Sequence, residues 1–160
     1  MEGSVEAVPV SLANPGYSVP DVAELTGKVL DALHDASDPK AARSLVVAVL
    51  QAAKSQAATD FEAAFRTSPR QARALITAQA ALTDVLVQVT LAAAMRLHPL
   101  ANPTEAERIA VLGVGGYGRA EMAPQSDVDL LFLTPWKITP WAESVIETML
   151  YMLWDLKLKV

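Results

Sequence analysis

"GVGGYGRAEMAPQSDVDLLFL", residues 113 to 133, decides how the rest of the chain is read. Four glycines fall within six positions, Arg119 follows, and two aspartates stand one residue apart at 127 and 129. The apolar run "RIAVLGV" (108–114) leads into the glycines, and "VDLLFL" (128–133) closes the segment. Two strands are expected, the first buried, with a glycine turn after it. Such a turn suits phosphate, because a backbone without Cβ atoms approaches a ligand closely. Two devices share that property. One cradles a dinucleotide; the other holds a nucleoside triphosphate against cations carried by the aspartates.

Spacing separates the two. Gly113, Gly115 and Gly118 formally satisfy G-x-G-x-x-G. A dinucleotide fold must then build a helix and cross over to a parallel strand, which takes about a dozen residues or more. Only nine residues lie between Gly118 and Val128, and Pro124 is one of them. The dinucleotide reading fails on length. A direct connection instead leaves Asp127 and Asp129 on one face of an extended segment, because side chains alternate along it. Two neighbouring carboxylates repel unless a cation sits between them, and Mg²⁺ accepts one or two carboxylates together with substrate phosphates. Asp127 and Asp129 are therefore the expected metal ligands and catalytic carboxylates of an in-line nucleotidyl transfer. Gly115 and Gly116 are expected at the triphosphate. Arg119 offers a fixed charge to a phosphate oxygen, with a surface ion pair to Glu121 as its competing use. Ser126 either contacts a phosphate or caps the turn. Tyr117 reads as a packing residue, with no base in view to make it a nucleophile.

At these residues the chain resembles a known family. Two adjacent glycines, then "DVD" and an apolar run, resemble the signature of the nucleotidyltransferase fold shared with polymerase beta. More narrowly, "GGYGRAEMAPQSDVDLLFL" is similar to the bifunctional uridylyltransferase/uridylyl-removing enzymes that modify the nitrogen-regulatory PII protein, and "LWDLKLKV" fits them too. The strong resemblance covers residues 110 to 160. It implies UTP as donor, a PII tyrosine as acceptor, Mg²⁺ or Mn²⁺, and glutamine as an effector acting through regulatory domains outside this sequence. It also implies a downstream hydrolase that removes the UMP, and a cytoplasmic location. The family fold needs a third carboxylate on a later strand; Glu143, Glu147 and Asp155 fall on an expected helix and should face elsewhere. The adenylyltransferase of glutamine synthetase shares much of the pattern through Gly113, Gly115, Gly118, Glu121, Ser126, Asp127 and Asp129. The run from Gly115 to Arg119, with Pro124, favours the PII enzymes. A catalytically incompetent piece whose helical half is an interaction module is the other alternative.

Working outward, residues 1 to 20 carry Pro9, Pro15, Gly16 and Pro20 with no periodicity and read as a mobile leader. A helix is expected from Asp21 to His34. Asp38-Pro39 and Ser68-Pro69 each look like a helix start, an acceptor followed by a residue whose missing N–H costs nothing. The second of these helices runs to His98 and stops at Pro99. Residues 21 to 103 are thus a helical region built around a hairpin. Thr104 and Glu107 form an expected capping box, and Thr139-Pro140 opens a helix to Asp155. "LKLKV" alternates like a third strand. The expected class is α+β: a helical hairpin, then, over residues 104 to 160, the opening part of a polymerase-beta-like domain with an incomplete mixed sheet and flanking helices. Two strands and the start of a third make a poor sheet alone, so the chain looks like part of a longer protein.

Composition narrows the classes. The formal net charge of −5 over 160 residues disfavours a nucleic-acid surface. With no cysteine there is neither a disulfide framework nor a thiolate metal site. From Ala74 to Met95 the only charge is Asp84, a stretch long enough to cross a membrane. Leu75, Leu82, Leu86, Val89, Ala93 and Leu97 recur at three- and four-residue steps, however, which is the stripe of an amphipathic helix packed on one side, as in a soluble protein. His34 and His98 read as helix C-terminal residues. Phe61, Phe65 and the three tryptophans, 136, 141 and 154, read as packing anchors.

Overall fold

A computed structural model describes residues 17–34 and 36–160. Its order is α1 (Val22–His34), α2 (Pro39–Thr67), α3 (Ala72–Leu97), β1 (Ala110–Gly113), a single turn α4 (Gly115–Gly118), β2 (Leu130–Leu133) and α5 (Pro140–Asp155). Mixed helix and sheet are present as expected, with five helices and one two-stranded antiparallel sheet among the described residues.

The helix starts follow local chemistry. The Asp21 carboxylate accepts from the Glu24 N–H at 2.8 Å, and Asp38 accepts from the Ala41 N–H at 2.8 Å with Pro39 at the first position. Thr139 caps α5 in the same way, accepting from the Ala142 N–H at 3.2 Å. Ser68 does not behave as expected: its side chain makes no capping bond, and a 3₁₀ turn over Pro69–Gln71 precedes α3. The Ser68 N–H closes the end of α2 on the Ala64 carbonyl instead, so the residue ends one helix rather than starting the next. The Thr104–Glu107 capping box forms on a 3₁₀ turn.

α3 is the central element, packed against α1, α2 and α5. Its expected stripe is at the centre of the core, with Leu82, Leu86, Val89 and Ala93 at 2% exposure or less. Val85 and Val87 are buried as well, so the helix is covered on more than one side. It is long and apolar enough to cross a membrane by length and composition alone, yet half of its most apolar window is buried inside the protein. Buried Thr83 and Thr90 satisfy their hydroxyls on the carbonyls of Gln79 and Leu86, one turn back. One apolar cluster joins Val46 and Leu50 of α2, the α3 stripe, and Val145, Met149, Met152 and Leu153 of α5. The core therefore runs across residue 104 without a break.

Residues 1–16 of the expected leader lie outside the described residues. Tyr17, within the expected leader, is buried and meets Phe61 edge to face at 5.6 Å. The tryptophans divide. Trp141 donates its indole N–H to the His98 carbonyl at 2.6 Å, while the His98 ring shares a 2.8 Å hydrogen bond with Thr148. Those contacts fasten the end of α3 to α5. Trp136 is 82% exposed and anchors nothing, contrary to expectation. It sits in the link after β2, where Pro135, Lys137 and Ile138 are exposed as well. Trp154 is half exposed, edge-on to Tyr151.

β1 and β2 pair with Val111 opposite Phe132 and Leu112 opposite Leu131. Ile109, Val111, Leu130 and Phe132 pack against the helical core. Leu112, Leu131 and Leu133 point the other way and are exposed, so the first strand is half covered rather than buried as expected. Among the described residues the sheet has helices on one face only. "LKLKV" forms no strand: Lys157 turns the chain at φ 60°, the Leu158 N–H bonds back to Leu153, and a single bond joins the Lys159 carbonyl to the Val128 N–H at 2.7 Å.

Candidate functional site

The glycine turn is dictated by crowding. Val114 arrives extended, Gly115 takes φ +59°, and the Gly118 N–H closes one helical turn on the Val114 carbonyl at 2.9 Å. A Cβ at Gly118 would stand 2.5 Å from the Gly113 carbonyl oxygen, and one at Gly113 would stand 2.9 Å from the Tyr117 ring. At Gly115 the conformation itself disfavours any side chain, and a Cβ there would overlap the Asp129 carboxylate. Gly116 is the freest of the four, its nearest neighbour being the Glu121 carbonyl oxygen at 3.3 Å. Of the two glycines expected at a triphosphate, Gly115 is thus the sterically obligatory one.

The carboxylates lie on extended chain just before β2, which starts at Leu130 and not at the expected Val128. The Val128 N–H is spent on Lys159, while the Asp129 carbonyl accepts from the Val114 N–H at 3.0 Å and so continues the pairing past the ladder. The expected alternation is present: Asp127 and Asp129 are exposed, and Val128 between them is 2% exposed. Val128 packs with Ala80, Tyr117 and Met122 in a small cluster of its own.

Arg119 follows the turn and pairs with Glu121 at 3.0 Å, both side chains well exposed. An exposed pair of this kind holds its partners weakly, so the guanidinium is available to an anion. The Ser126 N–H closes a tight turn on Ala123 at 3.1 Å, next to Gln125 at φ 68°. Arg43 pairs with Asp155 at 3.1 Å, which takes that acid to α2 and away from the pair. No group of three or more His, Cys, Asp or Glu able to hold a metal occurs among the described residues. A groove between α1 and α2, lined by Asp21, Lys28 and Asp60 among others, contains none of the expected site residues.

Sequence reasoning missed Asp84. Its carboxylate accepts a 2.6 Å hydrogen bond from the Tyr117 hydroxyl. Asp84 is exposed on α3, so water could satisfy its charge, and nothing in the sequence pointed to Tyr117 as its partner. Burial, and then the Asp84 carboxylate, push the Tyr117 hydroxyl far above the ordinary tyrosine range, so it stays a donor. This agrees with the reading of Tyr117 as a structural residue.

Comparison with known proteins adds the family. No family model matches the chain, and no solved structure matches it. It is 62% identical over 149 residues to a bifunctional uridylyltransferase/uridylyl-removing enzyme of Cereibacter sphaeroides, covering 91% of this chain and 16% of that protein. The identity is 52% over 141 residues to the enzyme of that name from Ruegeria pomeroyi, covering 88% and 16%. It is 48% over 120 residues to the one from Erythrobacter litoralis, covering 74% and 13%. The chain spans about a sixth of the length of the first two relatives. On that identity across most of its residues, the chain belongs to the family of the bifunctional uridylyltransferase/uridylyl-removing enzymes.

Proposed function

We propose that this chain supplies the phosphate-binding turn and the metal-binding carboxylates of a site that transfers UMP from UTP to a tyrosine hydroxyl of PII. One observation carries the reading. Gly115 and the Asp129 carboxylate are in van der Waals contact, so a phosphate lying on the turn would be next to a cation lying on the carboxylates. The names of the relatives supply the uridylyl group; PII, UTP and the polymerase-beta-like fold come from the motif resemblance. The uridylyl-removing activity in those names is assigned to the part of the relatives that this chain does not match.

Mg²⁺ or Mn²⁺ fits the donors present: two exposed carboxylates on one face, all hard oxygen, with room left for phosphate oxygens and water. Asp127 and Asp129 would hold it, and when bound it neutralises triphosphate charge and stabilises the attacking and leaving oxygens. The protein's own residues do the rest. The backbone at Gly115 and Gly116 admits the phosphates at close range. Arg119, released from Glu121, places a permanent charge at a phosphate oxygen. Ser126 borders the same connection.

The test is calorimetric titration of the chain with UTP, with and without Mg²⁺. Binding should depend on Mg²⁺, UTP should be preferred to ATP, and Asp129→Asn should weaken the Mg²⁺-dependent part by about tenfold or more, as for loss of a principal electrostatic partner. Equal affinity for UTP with and without metal, or no effect of Asp129→Asn, would refute the assignment.

A further inference from the structure

We propose that Asp84 is a positioning residue: through Tyr117 it holds the glycine turn in register with the carboxylate pair. The role in nucleotide binding rests on the reading above; the holding role does not. Three parts of the fold meet at this point. Ala80 and Asp84 lie one turn apart on α3 and so share a face. Ala80 is small and buried, and it leaves room for the Tyr117 ring, which packs there with Met122 and Val128. The ring also stands over Gly113, at a separation that no Cβ could tolerate.

Tyr117 is the second-to-last residue of the turn, between Gly116 and Gly118. Val128 is the residue between the two carboxylates. The cluster therefore ties the turn and the carboxylate segment to one helix. Apolar contacts among Ala80, Met122 and Val128 set no rotation about the contact, because they are non-directional. The Tyr117–Asp84 hydrogen bond is directional and charge-assisted, at 2.6 Å. It is the polar contact that fixes where the ring, and hence the turn, sits along α3. The helix beneath is the most buried element of the core, so the reference point is rigid.

Amide hydrogen exchange of the whole chain tests the holding role without any ligand. The reporters are the Gly118, Ala120 and Glu121 N–H groups, which bond within the turn to Val114, Tyr117 and Gly116. Tyr117→Phe and Asp84→Ala each remove the hydrogen bond and should speed exchange there by about tenfold, the scale for losing a bond to a charged group. Asp84→Asn keeps an acceptor and should exchange near the original rate. The double variant Tyr117→Phe/Asp84→Ala should be no faster than either single one, since both delete one interaction. Protection of the α3 amides serves as the folding control. In parallel, Mg²⁺-UTP affinity should fall in Tyr117→Phe and Asp84→Ala and be restored in Asp84→Asn.

Unchanged turn exchange in a folded Asp84→Ala, or additive effects in the double variant, overturns the positioning role whatever UTP does. If exchange responds as stated but the unsubstituted chain binds no Mg²⁺-UTP, the clamp stands and the nucleotide reading is the part that fails. If the unsubstituted chain binds Mg²⁺-UTP and turn exchange responds while affinity does not, the clamp has no bearing on the site and the proposal fails.

Discussion

Leu82, Leu86 and Val89 on α3 are almost sealed from water, whereas Leu112, Leu131 and Leu133 on the strands are 41%, 45% and 48% exposed. By composition "AVLG" and "LLFL" are as apolar as the middle of α3. What differs is cover. α3 has helices against several of its sides, and the sheet has them against one. An apolar run records only a tendency to be buried; a neighbouring element must exist to satisfy it. The same contrast extends to charge. Among the described residues, the buried threonines of the helical half, Thr83 and Thr90, bond back to their own helix, while the face around the glycine turn keeps Asp127, Asp129, Arg119 and Glu121 open to solvent.

Substitutions can break this contrast. Leu86→Asp should abolish the thermal transition of the helical core, because an unpaired charge and lost packing at a sealed position together exceed about 4 kcal/mol. Leu131→Asp should change the melting temperature little, within about ±0.5 kcal/mol. Equal damage from the two would mean that the outer sheet face is covered in solution.

Within the turn, Gly115→Ala should destabilise by about 1–3 kcal/mol, from the left-handed conformation and the displaced Asp129 carboxylate. Gly116→Ala, with a neighbour at 3.3 Å, should cost less. Denaturant titration of both variants gives the order, and a reversed order would contradict the turn geometry. Trp141→Phe removes the bond to the His98 carbonyl and should lower stability by about 1 kcal/mol.

The smallest effect is at Asp38. The Ala41 N–H holds its carboxyl below the ordinary value, so the group binds protons less readily folded than unfolded. Its contribution is present above the unfolded pKa, near 3.8, and fades as pH falls through the lower folded one. Asp38→Asn keeps the cap and should flatten the acid limb of the stability profile below about pH 4. An unchanged acid limb would remove Asp38 from the account.

Much of the helical half was legible from sequence. Asp38-Pro39, Thr104/Glu107 and Thr139-Pro140 carry their capping chemistry in adjacent residues, so the starts of these elements need no tertiary information. Ser68 misled because its backbone was claimed by the preceding helix. In the site, the outward pairing of Asp127 and Asp129 around a buried Val128 could be read from alternation alone. The start of β2 could not, because it depends on Lys159, 31 residues further on, taking the Val128 N–H. Nor could the Asp84–Tyr117 bond, which joins residues 33 apart in sequence. The exposure of Trp136 and of the outer sheet face was equally hidden, since cover is a property of the assembled fold.

The Lys159–Val128 bond also orders events in time. A chain leaving the ribosome delivers its N-terminal part first. When α5 has just emerged, the glycine turn and both aspartates have been made, yet the peptide between them still lacks the carbonyl that receives its N–H. That carbonyl belongs to Lys159, 31 residues after Val128. Closing so long a loop follows the local helices rather than leading them. Part of what holds the carboxylate segment in place is therefore made only after both acids.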